Sequence, residues 1–98
     1  MLKKKMQVYS EKIEVTTEGE PLRPTSFTWR EQNFKIERIL RSWQDWKFPA
    51  GAPHRKTWRL RRHRTYFVVE ATDGRTFEIY MDRKPPEPTW ILYRELGN

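Results

Sequence analysis

The dipeptide Asp73-Gly74 lies between two runs of residues that favour extended backbone, and it constrains the fold more than any other feature. Residues 65–72 and 75–82 are rich in Tyr, Phe, Val and Ile, the types that are enriched in β-strands. Asp-Gly between such runs is a strong signal for a two-residue hairpin, because glycine adopts positive φ without steric cost. The chain is therefore predicted to contain antiparallel β-sheet.

Alternation of apolar and polar residues with a period of two predicts further strands. These strands cover residues 12–16, 26–30, 57–62 and 89–96. A polar turn at 31–33, with Asn33 at positive φ, is expected to follow the second of them. Segments 47–54 and 83–88 are interrupted by prolines, so both are predicted to be loops.

The run from residue 34 to residue 46 allows two interpretations. Phe34 and Ile36 share a strand face, but Ile39 falls out of phase with them, as it would after a β-bulge. The alternative is a short helix over 37–46, because apolar residues there also recur at spacings of four and three. We favour the strand, since bulges bend a strand in the way that barrel closure requires.

The chain is 98 residues long and has no cysteine, so it has room for one small domain without disulfides or thiolate metal ligands. We predict a single domain over 1–98, with an N-terminal strand region at 1–17, a tether at 18–25 and a β core at 26–96. Short antiparallel strands at this spacing predict an all-β fold. It would be a small bent sheet or partly open barrel of five to seven strands, SH3-like or OB-like in character.

The composition also bears on the core and on location. Five Trp, five Phe and four Tyr supply large rings for a core that has few aliphatic residues. No run approaches the roughly 20 apolar residues of a membrane helix, and the lysine-rich start lacks the apolar stretch of a signal peptide. We therefore expect a cytoplasmic protein that does not associate with membranes.

The excess positive charge is concentrated in one stretch. The formal net charge is +7, from 20 basic and 13 acidic residues. Residues 54–64, here called the basic segment, hold six Lys and Arg and no acid, so the rest of the chain has a balance of +1. If Trp58 and Leu60 face inward on the predicted strand, Arg59 and Arg61 project together from its outer face. Guanidinium groups in that arrangement suit successive phosphates.

No arrangement of residues indicates catalysis, so we expect a protein that is not an enzyme and needs no cofactor or metal. His54 and His63 are the only two histidines, and both lie among arginines. That setting disfavours metal coordination and the protonated imidazole alike. No nucleophile, paired-carboxylate or phosphate-loop spacing accompanies them.

Two blocks near the C-terminus carry a family resemblance, RTFEIYMDRKP at 75–85 and WILYREL at 90–96. Together they resemble the C-terminal signature of DUF6504, a bacterial family of domains of unknown function. The likeness extends upstream through residues 27–30 and the region of Trp43, and it covers roughly three quarters of the chain. Related domains are similar to segments appended to inactive Y-family polymerase relatives, which implies a DNA-related role. The resemblance supplies no catalytic or binding residues.

Nucleic-acid binding is the function that these observations favour. The candidate binding residues are Arg55, Lys56, Arg59, Arg61, Arg64, Trp43 and Trp46. The basic residues would contact phosphates, and either tryptophan would stack on a base. Two other interpretations stay open: the arginines pair with Glu70, Glu78 or other acids across a solvated sheet, and the tryptophans plug one end of a barrel. The alternative function is a protein-interaction module, or a homodimer, that uses the aromatic surface.

Overall fold

A computed structural model of the chain describes residues 7–45, 64–83 and 87–97. These residues form six antiparallel strands: β1 (Gln7–Glu18), β2 (Arg23–Trp29), β3 (Gln32–Asp45), β4 (Arg64–Ala71), β5 (Thr76–Asp82) and β6 (Thr89–Leu96). Each strand pairs with its neighbours along the chain, and β1 also pairs with β6, which closes the sheet into a barrel. The predicted all-β fold, a small bent antiparallel sheet or partly open barrel of five to seven strands, is confirmed, and the barrel is closed.

The described ranges contain no helix long and apolar enough to cross a membrane.

Aromatic rings fill much of the barrel interior. Phe27, Phe34 and Phe77 contact one another, with ring centroids 5.1 to 5.3 Å apart, and Trp29 lies against the last two. Each such ring buries on the order of 150 to 250 Å², so a few of them supply the apolar area that the sparse aliphatic residues cannot. Further buried residues complete the core cluster: Ile13, Phe67, Val69, Ala71, Ile79 and Leu92.

The hairpin between β2 and β3 turns on Arg30 and Glu31, one residue earlier than predicted. Both residues have positive φ, 51° and 64°, as a two-residue type I′ turn requires. Asn33 lies within β3 instead of in the turn. The prediction was wrong because it located the turn by residue preference, whereas the pairing of Phe27 with Phe34 inside the barrel decides the register.

β3 is a long strand that contains two irregularities. Its register against β4 shifts between Ile36 and Arg38 and again between Ile39 and Arg41. The strand interpretation is therefore confirmed as far as the end of β3, and the helix alternative is wrong there. The shifts also explain why Ile39 is out of phase with the residues before it, since an extra residue reverses the facing of all that follow.

The predicted hairpin joins β4 to β5 through a three-residue loop, 72–74, one residue longer than expected. Gly74 has a φ of 93°, and its amide donates to the carbonyl of Ala71 at 2.9 Å while the Ala71 amide donates to the carbonyl of Arg75 at 2.8 Å. This is a type I turn followed by a glycine bulge. The Asp73 carboxylate accepts a hydrogen bond from the Arg75 amide at 3.0 Å, so both residues of the sequence signal shape the loop.

Several sequence-based predictions concern the rest of the chain. Outside the described residues lie the predicted strand 57–62, the predicted loop 47–54 and part of the predicted loop 83–88. The segment 18–25, expected as a tether, consists of the last residue of β1, a turn and the first residues of β2. Because β1 pairs with both β2 and β6, the N-terminal strand is an integral strand of the barrel.

Candidate functional site

A row of aromatic side chains crosses the outer face of β3, β4, β5 and β6. Its members, here called the aromatic row, are Trp43, Tyr66, Tyr80 and Tyr93. The rings of Trp43 and Tyr66 are stacked, with centroids 5.1 Å apart and planes within 4° of parallel. Tyr66 and Tyr80 follow at 5.0 Å, and Tyr80 and Tyr93 at 6.3 Å. Four strands thus present one continuous line of rings.

Strand pairing explains why these rings meet. Trp43 is directly opposite Tyr66, and Tyr66 is directly opposite Tyr80, so their side chains project from the same face of the sheet. The alternate residues, such as Phe67 and Ile79, point into the core. Tyr93 joins the row because the register between β5 and β6 shifts beside it, between Leu92 and Arg94 on its own strand.

Arginine side chains lie over the rings of the row. The guanidinium carbon of Arg64 is 4.5 Å from the ring centroid of Tyr80, and its Nη1 donates to the Tyr66 hydroxyl at 3.2 Å. The guanidinium carbon of Arg41 is 5.0 Å from the ring centroid of Trp43. That of Arg94 is 5.2 Å from the ring centroid of Tyr93, the residue before it in the chain. Cations at these distances are attracted by the ring faces.

The arginines on this face also meet carboxylates. Arg94 Nε donates to Glu78 at 2.8 Å, and Arg38 Nε lies 2.9 Å from a carboxylate oxygen of Glu70. Glu70 and Glu78 were the acids considered as partners for the arginines of the basic segment. Here they meet arginines from outside that segment, so the pairing of the basic segment with acids stays a prediction. An outer sheet face crossed by such pairs is held in shape by charge as well as by ring stacking.

Arg64 is the one residue of the basic segment within the described ranges. Its Nε lies 3.5 Å from Asp82 without making a hydrogen bond, so the contact is mainly coulombic. Burial opposes its charge, but the hydrogen bond to Tyr66 and the nearby Tyr80 and Asp82 outweigh that effect and raise the pKa of Arg64 above its usual value. Burial also raises the pKa of the Tyr80 phenol, against the opposing effect of the Arg64 charge.

Exposure differs along the row. Trp43 is 36 % exposed, whereas Tyr66, Tyr80 and Tyr93 are only partly exposed. The alternative that Trp43 plugs the barrel is wrong, because the residue lies on the outside of β3 opposite Tyr66. Trp43 is thus the ring of the row that solvent reaches most easily.

Two further arginines, Arg30 and Arg75, lie over core rings, and Arg75 follows the end of β4 opposite to Arg64. Arg75 lies 5.2 Å from the ring centroid of Phe77 and donates two hydrogen bonds of 3.0 Å to Glu95. Arg30 donates two hydrogen bonds to the Glu11 carboxylate, which also accepts one from the Trp29 indole. The bond from Arg30, followed by that from Trp29, lowers the pKa of Glu11. Each charge here is paired over a buried ring, so the group stabilises the core.

The structure places only two of the predicted site residues. Trp43 and Arg64 belong to the outer face described above, one in the row and one over it. The others lie outside the described residues: Arg55, Lys56, Arg59, Arg61 and Trp46. Sequence reasoning missed the tyrosines of the row and the two arginines at its ends. Their signal was present, since outward positions of neighbouring strands carried rings, but it becomes visible only once the strand register is known.

Charge is divided sharply between the described residues and the rest of the chain. The described residues include ten basic and thirteen acidic ones, a balance of −3. The remaining residues therefore carry ten basic and no acidic side chains, which restores the total of +7. The net charge of the described residues repels phosphate weakly, so most of any attraction for phosphate must come from the other segments.

Within the described ranges, no group of three or more His, Cys, Asp or Glu side chains is arranged to hold a metal ion.

Comparison with known proteins gives one match. The model of a family described as a domain of unknown function, DUF6504, matches residues 3–97. No curated protein and no solved structure matches the chain.

Proposed function

The chain belongs to the DUF6504 family of domains of unknown function, and from that premise we propose that it is a non-catalytic module that binds nucleic acid through its basic segment. The observation that carries the proposal is the position of Arg64. This last residue of the basic segment lies over Tyr80 at 4.5 Å and pairs in register with Asp45 at the end of β3. The segment between Asp45 and Arg64 therefore leaves and rejoins the sheet beside the aromatic row.

The division of charge supports phosphate as the partner. The segments outside the described ranges hold ten basic residues without an acid, on a barrel whose own balance is −3. Solubility would be served by either sign and by mixed charge, so a separation of this kind favours an anionic partner. Arg64 already faces Asp82. Phosphate contacts therefore fall to Arg55, Lys56, Arg59 and Arg61.

A catalytic role finds little support among the described carboxylates. Five of them face an arginine within ion-pair distance: Glu11, Glu70, Glu78, Asp82 and Glu95. A general acid or base needs a perturbed pKa near the working pH and room for a substrate. A carboxylate already engaged by an arginine suits a structural part better than a catalytic one.

Fluorescence anisotropy with labelled oligonucleotides at several salt concentrations tests the proposal. If about four cations meet phosphates, the affinity falls roughly 50- to 150-fold between 50 and 200 mM salt, because each contact releases a fraction of a counterion. An Arg59→Glu/Arg61→Glu variant should bind at least tenfold more weakly and with a smaller salt slope.

A matched control separates the basic segment from net charge alone. Lys12 and Lys35 are exposed on β1 and β3, and a Lys12→Glu/Lys35→Glu variant changes the net charge by the same amount. It should keep most of the affinity. Equal losses in the two variants, or no binding by the unaltered protein near physiological salt, would refute binding through the basic segment.

Protein interaction, the alternative function, gives the opposite salt response. A mainly apolar interface responds little to ionic strength, whereas phosphate binding weakens steeply. Apart from Trp43, the exposed large apolar residues are Val8, Leu22 and Leu40. They lie on β1, on the turn after it and on β3, so they are scattered singly and do not by themselves favour an interface. Light scattering on the free protein measures whether it is a dimer.

A further inference from the structure

The aromatic row indicates which kind of nucleic acid the protein binds. We propose that Trp43 stacks on an unpaired base and that Arg41 pairs with the adjoining phosphate, so that the ligand is a single strand. This inference rests on the proposed function, because the basic segment would supply most of the affinity.

Among the described rings of the row, the one at the Trp43 end is best placed to meet a ligand. Tyr66 lies between Trp43 and Tyr80, and Tyr80 lies between Tyr66 and Tyr93 with Arg64 over its ring. The inner rings are therefore covered by their neighbours. Of the two end rings, Tyr93 is only partly exposed and has Arg94 against it. Trp43 is the most exposed member, at 36 %. Apart from Tyr66, the described side chain over its ring is the exposed Arg41, whose guanidinium can turn aside toward a phosphate.

Among the described strands, none lies on the far side of Trp43. β2 pairs with β3 only from Gln32 to Lys35, and from Ile36 onward β3 pairs with β4 alone among the described strands. Trp43 therefore projects from a part of β3 that has a described neighbour on one side. A base placed against it would extend the line of rings by one member, at the ring spacing of about 5 Å already present in the row.

Arg41 differs from the other arginines of this face. Arg38, Arg64 and Arg94 each lie within 3.5 Å of a carboxylate oxygen. Arg41 is exposed, lies 5.0 Å from the Trp43 centroid and makes no ion pair with another described residue. It is a cation beside the terminal ring with its charge available to a phosphate, and aromatic-plus-guanidinium pairs of this kind serve single-strand binding.

The geometry selects an unpaired strand over a duplex. A base inside a duplex has both faces covered by its neighbours, so it can stack on Trp43 only after it has been extruded, which costs a few kcal/mol. A base in a single strand exposes its faces without that cost. The basic segment rejoins the sheet at Arg64, two residues before Tyr66, the stacking partner of Trp43. A nucleic-acid strand bound close to Arg64 therefore lies near the Trp43 end of the row.

The test uses the full chain and three probes of equal length: an oligothymidine strand, the same strand with abasic residues, and a duplex. The abasic strand keeps every phosphate and removes every base, so it isolates the stacking contribution. Stacking on one side chain corresponds to a loss of roughly 5- to 140-fold in affinity when it is removed. We expect the unaltered protein to prefer oligothymidine to the abasic strand by that factor, and to bind the duplex more weakly than oligothymidine.

Variants on β3 locate the effect. Trp43→Leu should lower the affinity for oligothymidine to that for the abasic strand, and Trp43→Phe, which keeps a ring, should retain much of the preference. Leu40→Ala, which removes an exposed apolar side chain from the same strand outside the row, should change neither affinity. Arg41→Gln should reduce the salt slope by about 0.7, the value for one phosphate contact on a single strand.

The outcomes separate this inference from the proposed function. Salt-dependent binding with equal affinity for oligothymidine and the abasic strand overturns stacking and leaves the proposed function intact. So does a preference for bases that persists in Trp43→Leu, because the stacking ring would then lie elsewhere. Absence of binding to all three probes overturns the proposed function, and the inference falls with it.

Discussion

Removal of Arg94 should destabilise the protein far more than removal of Arg38, although both arginines form ion pairs on the outer face. The Glu78 side chain is 4 % exposed and that of Arg94 is 30 % exposed, with Arg94 Nε 2.8 Å from the carboxylate. Arg94→Met takes away the charge that compensates a carboxylate from which water is excluded. Loss of one partner of a fully buried pair costs about 3–5 kcal/mol.

The partial exposure of Arg94 reduces that figure. Water that already reaches the guanidinium can reach the carboxylate once the arginine is gone, so we expect a loss of about 2–3 kcal/mol in the free energy of unfolding. For a domain of this size that corresponds to a fall in Tm of roughly 10–20 °C. Urea unfolding followed by tryptophan fluorescence, together with a thermal scan by circular dichroism, measures both quantities.

Arg38→Met is the matched control. Its side chain is 62 % exposed and that of Glu70 is 32 % exposed, and exposed pairs contribute at most about 1 kcal/mol. The double variant Glu78→Leu/Arg94→Met removes the buried charge together with its partner and should recover most of the stability that Arg94→Met loses. Equal losses for Arg94→Met and Arg38→Met, or a double variant less stable than Arg94→Met, would refute the reasoning that burial decides the cost.

Three further predictions concern the turns and the pH dependence of stability. Gly74→Ala should cost about 1–2 kcal/mol in urea unfolding, because a Cβ there has open space but the φ of 93° is unfavourable for alanine; no loss would mean that the turn adopts another geometry. Glu31→Gly should stabilise by about 0.5 kcal/mol, since the strain of a φ of 64° outweighs the entropy cost of glycine, and a lower Tm would contradict this. The pKa of Glu11 is lowered from its ordinary value by its bonds to Arg30 and Trp29, so its carboxylate stabilises the fold at neutral pH and loses this effect as the pH falls through the lowered pKa. The free energy of unfolding of Glu11→Gln should therefore be lower than that of the unaltered protein at pH 7 and equal to it in acid. A difference in the free energy of unfolding that is the same at every pH would exclude this account.

Local patterns in the chain predicted much of the barrel. The Asp73-Gly74 hairpin, the out-of-phase Ile39 and the inward Phe27 are properties of a few adjacent residues, because side-chain direction alternates every two residues in any strand. The distribution of Lys and Arg along the chain likewise located the excess positive charge in the basic segment. The turn on Arg30 and Glu31 was missed by one residue because its position follows from the pairing of Phe27 with Phe34 on neighbouring strands, which residue preference in the turn does not reveal.

The candidate site depended on tertiary structure. Trp43, Tyr66 and Tyr80 lie on three strands and meet only because the register of each pair places them opposite one another, after two shifts within β3 that no local pattern quantifies. A displacement of one residue would turn each ring to the other face of the sheet. The sequence by itself determined which residues alternate and where the charge lies. The closure of six strands around a common core decided which rings share a face. It also decided that Arg41 is the arginine beside the exposed Trp43 ring.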